Sequence, residues 1–210
     1  MARQERAEAT RDSVIRGAAH VFVRHGYALA SLSEVIVEAK VTKGALYFHF
    51  ASKEELARSV IDTGAARLDA AMLPWYDSRT PALEALIGLS GVVADAVSAD
   101  VLVSAMFRLS NEIGDYRGAD TAVFDLWLRR HVELIRRSAE EGDLRPDADP
   151  DSVGRLLLEL LSGVRLLADA TRDLDRLGAR LGAVWHTILP VVVPDAKVEY
   201  FRQFVSRRLV

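Results

Sequence analysis

Apolar residues recur every three or four positions along almost the whole chain, and no stretch alternates apolar and polar residues long enough to make a strand. The pattern predicts an all-α protein of about nine to ten helices. The first covers 7–25, where Val14, Ile15, Ala18, Ala19, Phe22 and Val23 share a face and His25-Gly26 supplies the stop. A short second helix starts after Ser31, with Glu34 completing an S-x-x-E capping box, and ends near Ala39. Thr42 caps a third over 43–49, and Ser52 with Glu55 forms another box that opens a longer helix running to about Pro74. Further helices are predicted at 81–98, 100–113, 120–141, 150–169, 174–189 and 195–208. Thr80-Pro81, the loop PDADPD at 146–151 and the prolines at 190 and 194 punctuate them. The second and third helices, joined by a three-residue turn, have the spacing of a helix-turn-helix.

Composition narrows the classes. With 210 residues and half of them hydrophobic, the chain has ample material for one large or two small cores. The apolar stretch LLLELLSGVRLLA at 156–168 is interrupted by Glu159 and Arg165 and falls short of the roughly 20 residues of a membrane span, so no membrane partner is expected. The opening MARQERAEATRDS has no apolar signal core. The absence of Cys excludes disulfides, thiolate zinc sites and cysteine nucleophiles. A cytoplasmic protein is the expectation.

Charge is uneven. Residues 1–53 hold eight Lys and Arg against five Asp and Glu, or +3, which leaves −6 for the remainder of a chain of net −3. A basic head on an acidic body suits a nucleic-acid-binding module joined to a non-binding domain, although chance variation on a mixed surface would give the same count. No GxGxxG, GxSxG or P-loop occurs, and no His pair has metal-ligand spacing. His20, His25, His131 and His186 are scattered and read as surface or interface residues. Glu54-Glu55 and Glu140-Glu141 are neighbours on helices and point apart. No enzyme activity, cofactor or metal is expected.

The helix-turn-helix segment SLSEVIVEAKVTKGALYFHFASKEE, residues 31–55, divides its labour by residue type. Val35, Ile36, Val41, Leu46 and Phe50 form an apolar seam that would fasten two short helices to the first, and Phe48 is grouped with Phe50 as a packing residue. Thr42 can offer a hydroxyl to a phosphate, Lys43 can reach a guanine edge, and Gly44 lets the helix approach closely. Tyr47 and His49 can donate to phosphates and Lys53 adds charge. A merely solvated helix face remains the plain alternative for these polar residues.

VTKGALYFHFASKEEL resembles the signature of TetR-family repressors. Together with MARQERAEATRDSVIRGAAHVFVRHGY, it is similar to the γ-butyrolactone autoregulator receptors of actinobacteria. The resemblance implies a helix-turn-helix DNA-binding domain at 1–53 and an effector-binding and dimerisation domain at 54–210. It also implies a homodimer on an inverted-repeat, double-stranded DNA operator. By position it marks Thr42, Lys43, Tyr47, His49 and Lys53 as contacts, with Lys43 reading bases, and Arg3 and Arg6 as a basic arm. One residue departs from the family: Lys40 stands where a Gly is usual, in a turn that often needs positive φ.

In the body, Trp75, Tyr76, Phe107, Tyr116, Phe124 and Trp127 are aromatics that a bundle cavity could use. A Trp on an apolar face is ordinarily core packing. The resemblance instead assigns Trp127, in AVFDLWLRRH, to the effector pocket, and Phe107, Leu126 and Val164 join it by helical facing. A small lipophilic effector, a γ-butyrolactone or butenolide with an alkyl tail, is implied. Segments 151–168 and 175–190 are the implied dimer helices, through Leu156, Leu157, Leu160, Leu161 and Val164 on one and Leu177, Leu181, Val184 and Trp185 on the other, although either stripe suits an internal core equally. The implied function is a repressor of secondary-metabolism genes that the effector releases from DNA. Two other readings stay open: a related regulator that answers to an antibiotic or to no autoregulator, and a helical small-molecule-binding protein or enzyme with a degenerate head.

Overall fold

Ser31 sits in extended conformation and accepts the Glu34 N–H at 3.2 Å, while the Glu34 carboxylate accepts the Ser31 N–H at 2.9 Å. The capping box therefore closes in both directions and opens α2 (Leu32–Ala39). Thr42 Oγ1 accepts the Ala45 N–H at 3.2 Å and starts α3 (Lys43–His49). Ser52 does the same for the Glu55 N–H at 3.1 Å and starts α4 (Lys53–Met72). Ahead of them runs α1 (Ala2–Leu29), which begins earlier than the pattern predicts. The structure, a computed structural model, describes residues 2–76, 79–113 and 122–209, without the side chains of 2, 3 and 122–124. Among the described residues every regular element is helical: after α4 come a 3₁₀ turn (Leu73–Tyr76), α5 (Ala82–Ala99), α6 (Val101–Ile113), α7 (Ala122–Glu140), α8 (Pro150–Ala170), a second 3₁₀ turn (Leu174–Arg176), α9 (Leu177–Val192) and α10 (Asp195–Arg208).

The chain divides into two compact units. The first joins α1, α2, α3 and most of α4 with α6, which lies far along the sequence. Its core takes Val14, Ile15, Ala18 and Phe22 from α1, Val35 from α2, and Leu46 and Phe50 from the α3 region. Leu56 and Val60 of α4 and Leu102, Ala105 and Leu109 of α6 complete it. Ile36 and Val41 pack at its edge, so the predicted seam is present. α1 and α2 touch where both side chains are minimal: a Cβ at Gly17 would lie 2.8 Å from that of Ala39, and Ser13 Oγ donates to the Ala39 carbonyl at 3.0 Å.

Gly26 is where α1 breaks, with φ 73° and ψ 173°, a conformation open to Gly alone. The predicted stop is real, but the chain makes one further turn beyond it. In an uninterrupted helix the Tyr27 N–H would bond the Val23 carbonyl. Here an i,i+4 ion pair of α6, with Arg108 Nε 2.8 Å from Glu112 Oε1, serves both groups. Glu112 accepts the Tyr27 N–H, and Arg108 Nη1 donates to the Val23 carbonyl at 2.6 Å. A Cβ on Gly26 would meet the Glu112 carboxylate at 2.6 Å, so this position also supplies room for the pair.

The second unit is built around α5, whose 18 residues are long and apolar enough to cross a membrane by length and composition; two thirds of them are buried within the fold, as in a core helix. Trp185 of α9 is fully buried and donates from Nε1 to Ser90 Oγ of α5 at 2.9 Å. Asp149 caps α8 through the Ser152 N–H at 3.0 Å, and Pro150 occupies the first turn, where no N–H is needed. Arg136 of α7 bonds Asp151 of α8 in bidentate fashion at 2.7 and 2.6 Å. Pro190 does not end the penultimate helix as predicted. It lies in the last turn of α9, exposed, and the helix continues to Val192, because a proline there removes one bond to a carbonyl near the free end instead of breaking a central ladder.

Candidate nucleic-acid interface

α3 separates its two faces by periodicity. Leu46 and Phe50, four residues apart, are buried in the core of the first unit, and Arg11 of α1 lies 5.4 Å over the Phe50 ring. Thr42, Lys43, Gly44 and Tyr47 are all exposed, Lys43 and Tyr47 flanking the buried line and Gly44 lying across the helix from it. Lys43 Nζ sits 5.9 Å from the Tyr47 ring centroid, a cation–π distance that holds the two side chains together as one polar ridge. Because the Thr42 oxygen only accepts from Ala45, its O–H remains able to donate outward. A Cβ at Gly44 would meet no atom within 4 Å, so the surface beside it is open. His49 is half-buried, and its ring stands edge-on to Phe48 at 5.0 Å.

Two residues of this stretch are placed differently from the sequence expectation. Phe48 is not a packing residue: it is 80% exposed, whereas Phe50 is 1% exposed. The signal was in the spacing, since a residue two positions from both Leu46 and Phe50 is turned about 200° away from their face. Lys53 is turned inward. Its Nζ donates to the carbonyls of Tyr27 at 2.8 Å, Ala30 at 3.0 Å and Ala28 at 3.4 Å, and lies 4.5 Å over the Tyr27 ring. Its three donors are directed at the carbonyls that the end of α1 leaves open, which is a helix-capping role.

Arg6 is exposed on the first turns of α1, and its carbonyl accepts the Thr10 hydroxyl at 2.8 Å. The side chain of Arg3 lies outside the described residues. Lys40 has φ 55° and ψ 41°, the left-handed geometry anticipated for the turn, and the Val41 N–H closes that turn on the Ile36 carbonyl at 3.2 Å.

The residues expected at the effector site fall in both units. Phe107 is buried in α6, in the unit of the head. Trp127 is buried in α7, 7% exposed, with Leu126 and Val164 half-buried in the second unit. Tyr116 and the side chain of Phe124 lie outside the described residues. Trp75 and Tyr76 are each faced by a guanidinium, from Arg208 at 5.2 Å and Arg130 at 4.8 Å. His131 was read as a surface or interface residue and is instead 6% exposed. Its Nδ1 must carry the proton, since it bonds the Trp127 carbonyl at 2.8 Å, and burial holds its pKa below the usual histidine value against that bond. A lone His on an amphipathic helix fits either face, so nothing in the sequence distinguished the two.

The predicted dimer stripes also divide. On α8, Leu156 and Leu160 are exposed with Gly163 and Leu167 in the same line, while Leu157 is core. On α9, Leu177, Leu181 and Trp185 are core, and the outward line is Ala179, Ala183 and Thr187, with Val191 beside it.

A family model for bacterial regulatory proteins of the tetR family matches residues 14–60. The chain is 30% identical over 202 residues to the A-factor receptor protein of Streptomyces griseus, covering 96% of this chain and 70% of that protein. Among solved structures it is similar to a γ-butyrolactone receptor described as ArpA-like, with TM-score 0.81 at 29% identity over 96% of this chain and 97% of that one. It is also similar to CprB of Streptomyces coelicolor in complex with its operator sequence, with TM-score 0.82 at 29% identity over 97% of this chain and 98% of that one.

Proposed function

The chain belongs to the TetR family of bacterial regulatory proteins, and we propose that it is a transcriptional repressor released from its operator by a small lipophilic signal of the γ-butyrolactone or butenolide type. The observation that carries this reading is the exposed polar surface of α3, with Thr42, Lys43 and Tyr47 exposed while the buried Leu46 and Phe50 fasten the helix to the core. Lys43 reads a base edge in the major groove; Thr42, Tyr47 and Arg6 position the head on phosphates. His49, half-buried, contributes at the rim.

Two copies present two such helices, so the operator is an inverted repeat. The line Leu156, Leu160, Gly163 and Leu167 on α8, with the small residues Ala179 and Ala183 on α9, supplies an apolar face on which copies pair. The functional division places reading at 1–53 and sensing and pairing at 54–210. The effector class rests on the likeness to the A-factor receptor, which extends through the body as well as the head, and Trp127 is the residue assigned to it. For release, the effector must favour a state of lower operator affinity; a differential of ~3 kcal/mol changes that affinity roughly a hundredfold. The protein works in the cytoplasm, where the DNA is, and regulates secondary metabolism without catalysing a reaction.

The test is a gel shift on the protein's own promoter region across a salt series, followed by titration with a synthetic long-chain 2-acyl-γ-butyrolactone. Sequence-selective, salt-dependent binding that the lactone reverses is expected. Lys43→Ala should lose discrimination between operator and random DNA, and Trp127→Ala should bind operator normally while resisting release. Selective binding that no lactone reverses would remove the effector class and leave the repressor; absence of selective binding would remove both.

A further inference from the structure

α3 carries two ridges of side chains, each pair four residues apart and therefore stacked on one side of the helix. Lys43 and Tyr47 form the polar ridge. Gly44 and Phe48 form the other, and it is unlike anything DNA phosphates require. Phe48 is largely exposed, and at the position one turn before it, Gly44, an added Cβ would meet nothing from the rest of the fold within 4 Å. The His49 ring meets Phe48 edge-on at 5.0 Å, which restricts how the phenyl ring can turn. The helix thus presents a flat apolar group on the same short element as its base-reading lysine, with open space along the ridge of Gly44.

A phenyl ring has no proton to give to a phosphate or a base edge. In the major groove one apolar group is on offer, the C5 methyl of thymine. We propose that Phe48 is a specificity-determining residue whose ring packs against the C5 methyl of a thymine in each operator half-site. It discriminates thymine from cytosine at a position that Lys43 does not read. This rests on the repressor reading above and adds the identity of one base. A second copy of the chain is a poorer occupant, because one exposed ring on a helix of seven residues offers far less apolar area than a stable pairing surface needs.

The experiment uses the full chain and an operator selected from a random double-stranded pool. Each thymine of the selected sequence is replaced by deoxyuridine, which removes the methyl alone and leaves the hydrogen-bonding edges unchanged. One thymine per half-site should be methyl-sensitive, with binding weakened about fourfold for each methyl lost and roughly fifteenfold when both half-sites are replaced, the factor expected for burying one carbon each. Phe48→Ala should bind thymine and deoxyuridine operators equally and keep the wild-type melting temperature, since the ring is not part of the core. Phe48→Leu should retain part of the methyl sensitivity. A flat deoxyuridine scan, or a Phe48→Ala protein with the wild-type pattern of sensitivity, overturns the proposal and leaves the repressor intact. A pool that yields no selected sequence removes the repressor reading itself, and this proposal with it.

Discussion

Lys40 holds the turn between α2 and α3 in left-handed geometry, which costs a residue with a Cβ on the order of 1 kcal/mol relative to Gly. Lys40→Gly should therefore raise unfolding stability by about 0.5–1 kcal/mol in urea, and a fall would show that the side chain contributes more than its backbone strain. The position was legible as a departure from a family pattern. His131 was not legible, and its burial has a pH consequence. The folded-state pKa lies below the unfolded value of 6.5, so as pH falls from there the unfolded chain takes up the proton first and stability is lost. Denaturant curves between pH 7.5 and 5 should slope downward, and His131→Asn should flatten that slope; an equal slope in both proteins would place the titration elsewhere. Lys53 was likewise not legible, a cation at a helix start turned inward to carbonyls, whereas the outward turn of Phe48, two positions from the buried Phe50, was in the spacing.

Helix boundaries were readable wherever the signal was a side chain bonding to nearby backbone. Ser31 with Glu34, Thr42 and Ser52 all cap where their spacing places them, because capping needs only three residues of local chain. The break in α1 was half readable. Gly26 announces a stop, but the turn after it depends on the Arg108–Glu112 pair of α6, some 85 residues away, serving the Tyr27 N–H and Val23 carbonyl. Gly26→Ala should lower stability by about 2–4 kcal/mol, combining forbidden backbone geometry with displacement of that pair. A loss under 1 kcal/mol in equilibrium unfolding would show that the break relaxes freely. α9 teaches the converse: proline is a reliable stop in mid-helix and a weak one in the last turn.

At the scale of the whole molecule, pairing of copies is the property most exposed to test. Leu160 lies in the outward line of α8 and is only partly buried, so Leu160→Glu should leave helicity and monomer stability nearly unchanged. It should shift sedimentation towards monomer and weaken operator binding at least tenfold, since two heads bound as one contribute more than either alone. A dimer that survives the substitution would move the interface off α8. By itself, the sequence determined the all-helical class, the order of helices, their capped starts and the polar composition of α3, because these follow from hydrophobic period and from bonds spanning three or four residues. Only the tertiary structure decided which apolar line of α8 and α9 faces inward, that α6 joins α1 in one unit, and that Lys53 turns in. Periodicity says which residues share a face, and only the elements packed against that face say whether it meets core, partner or solvent.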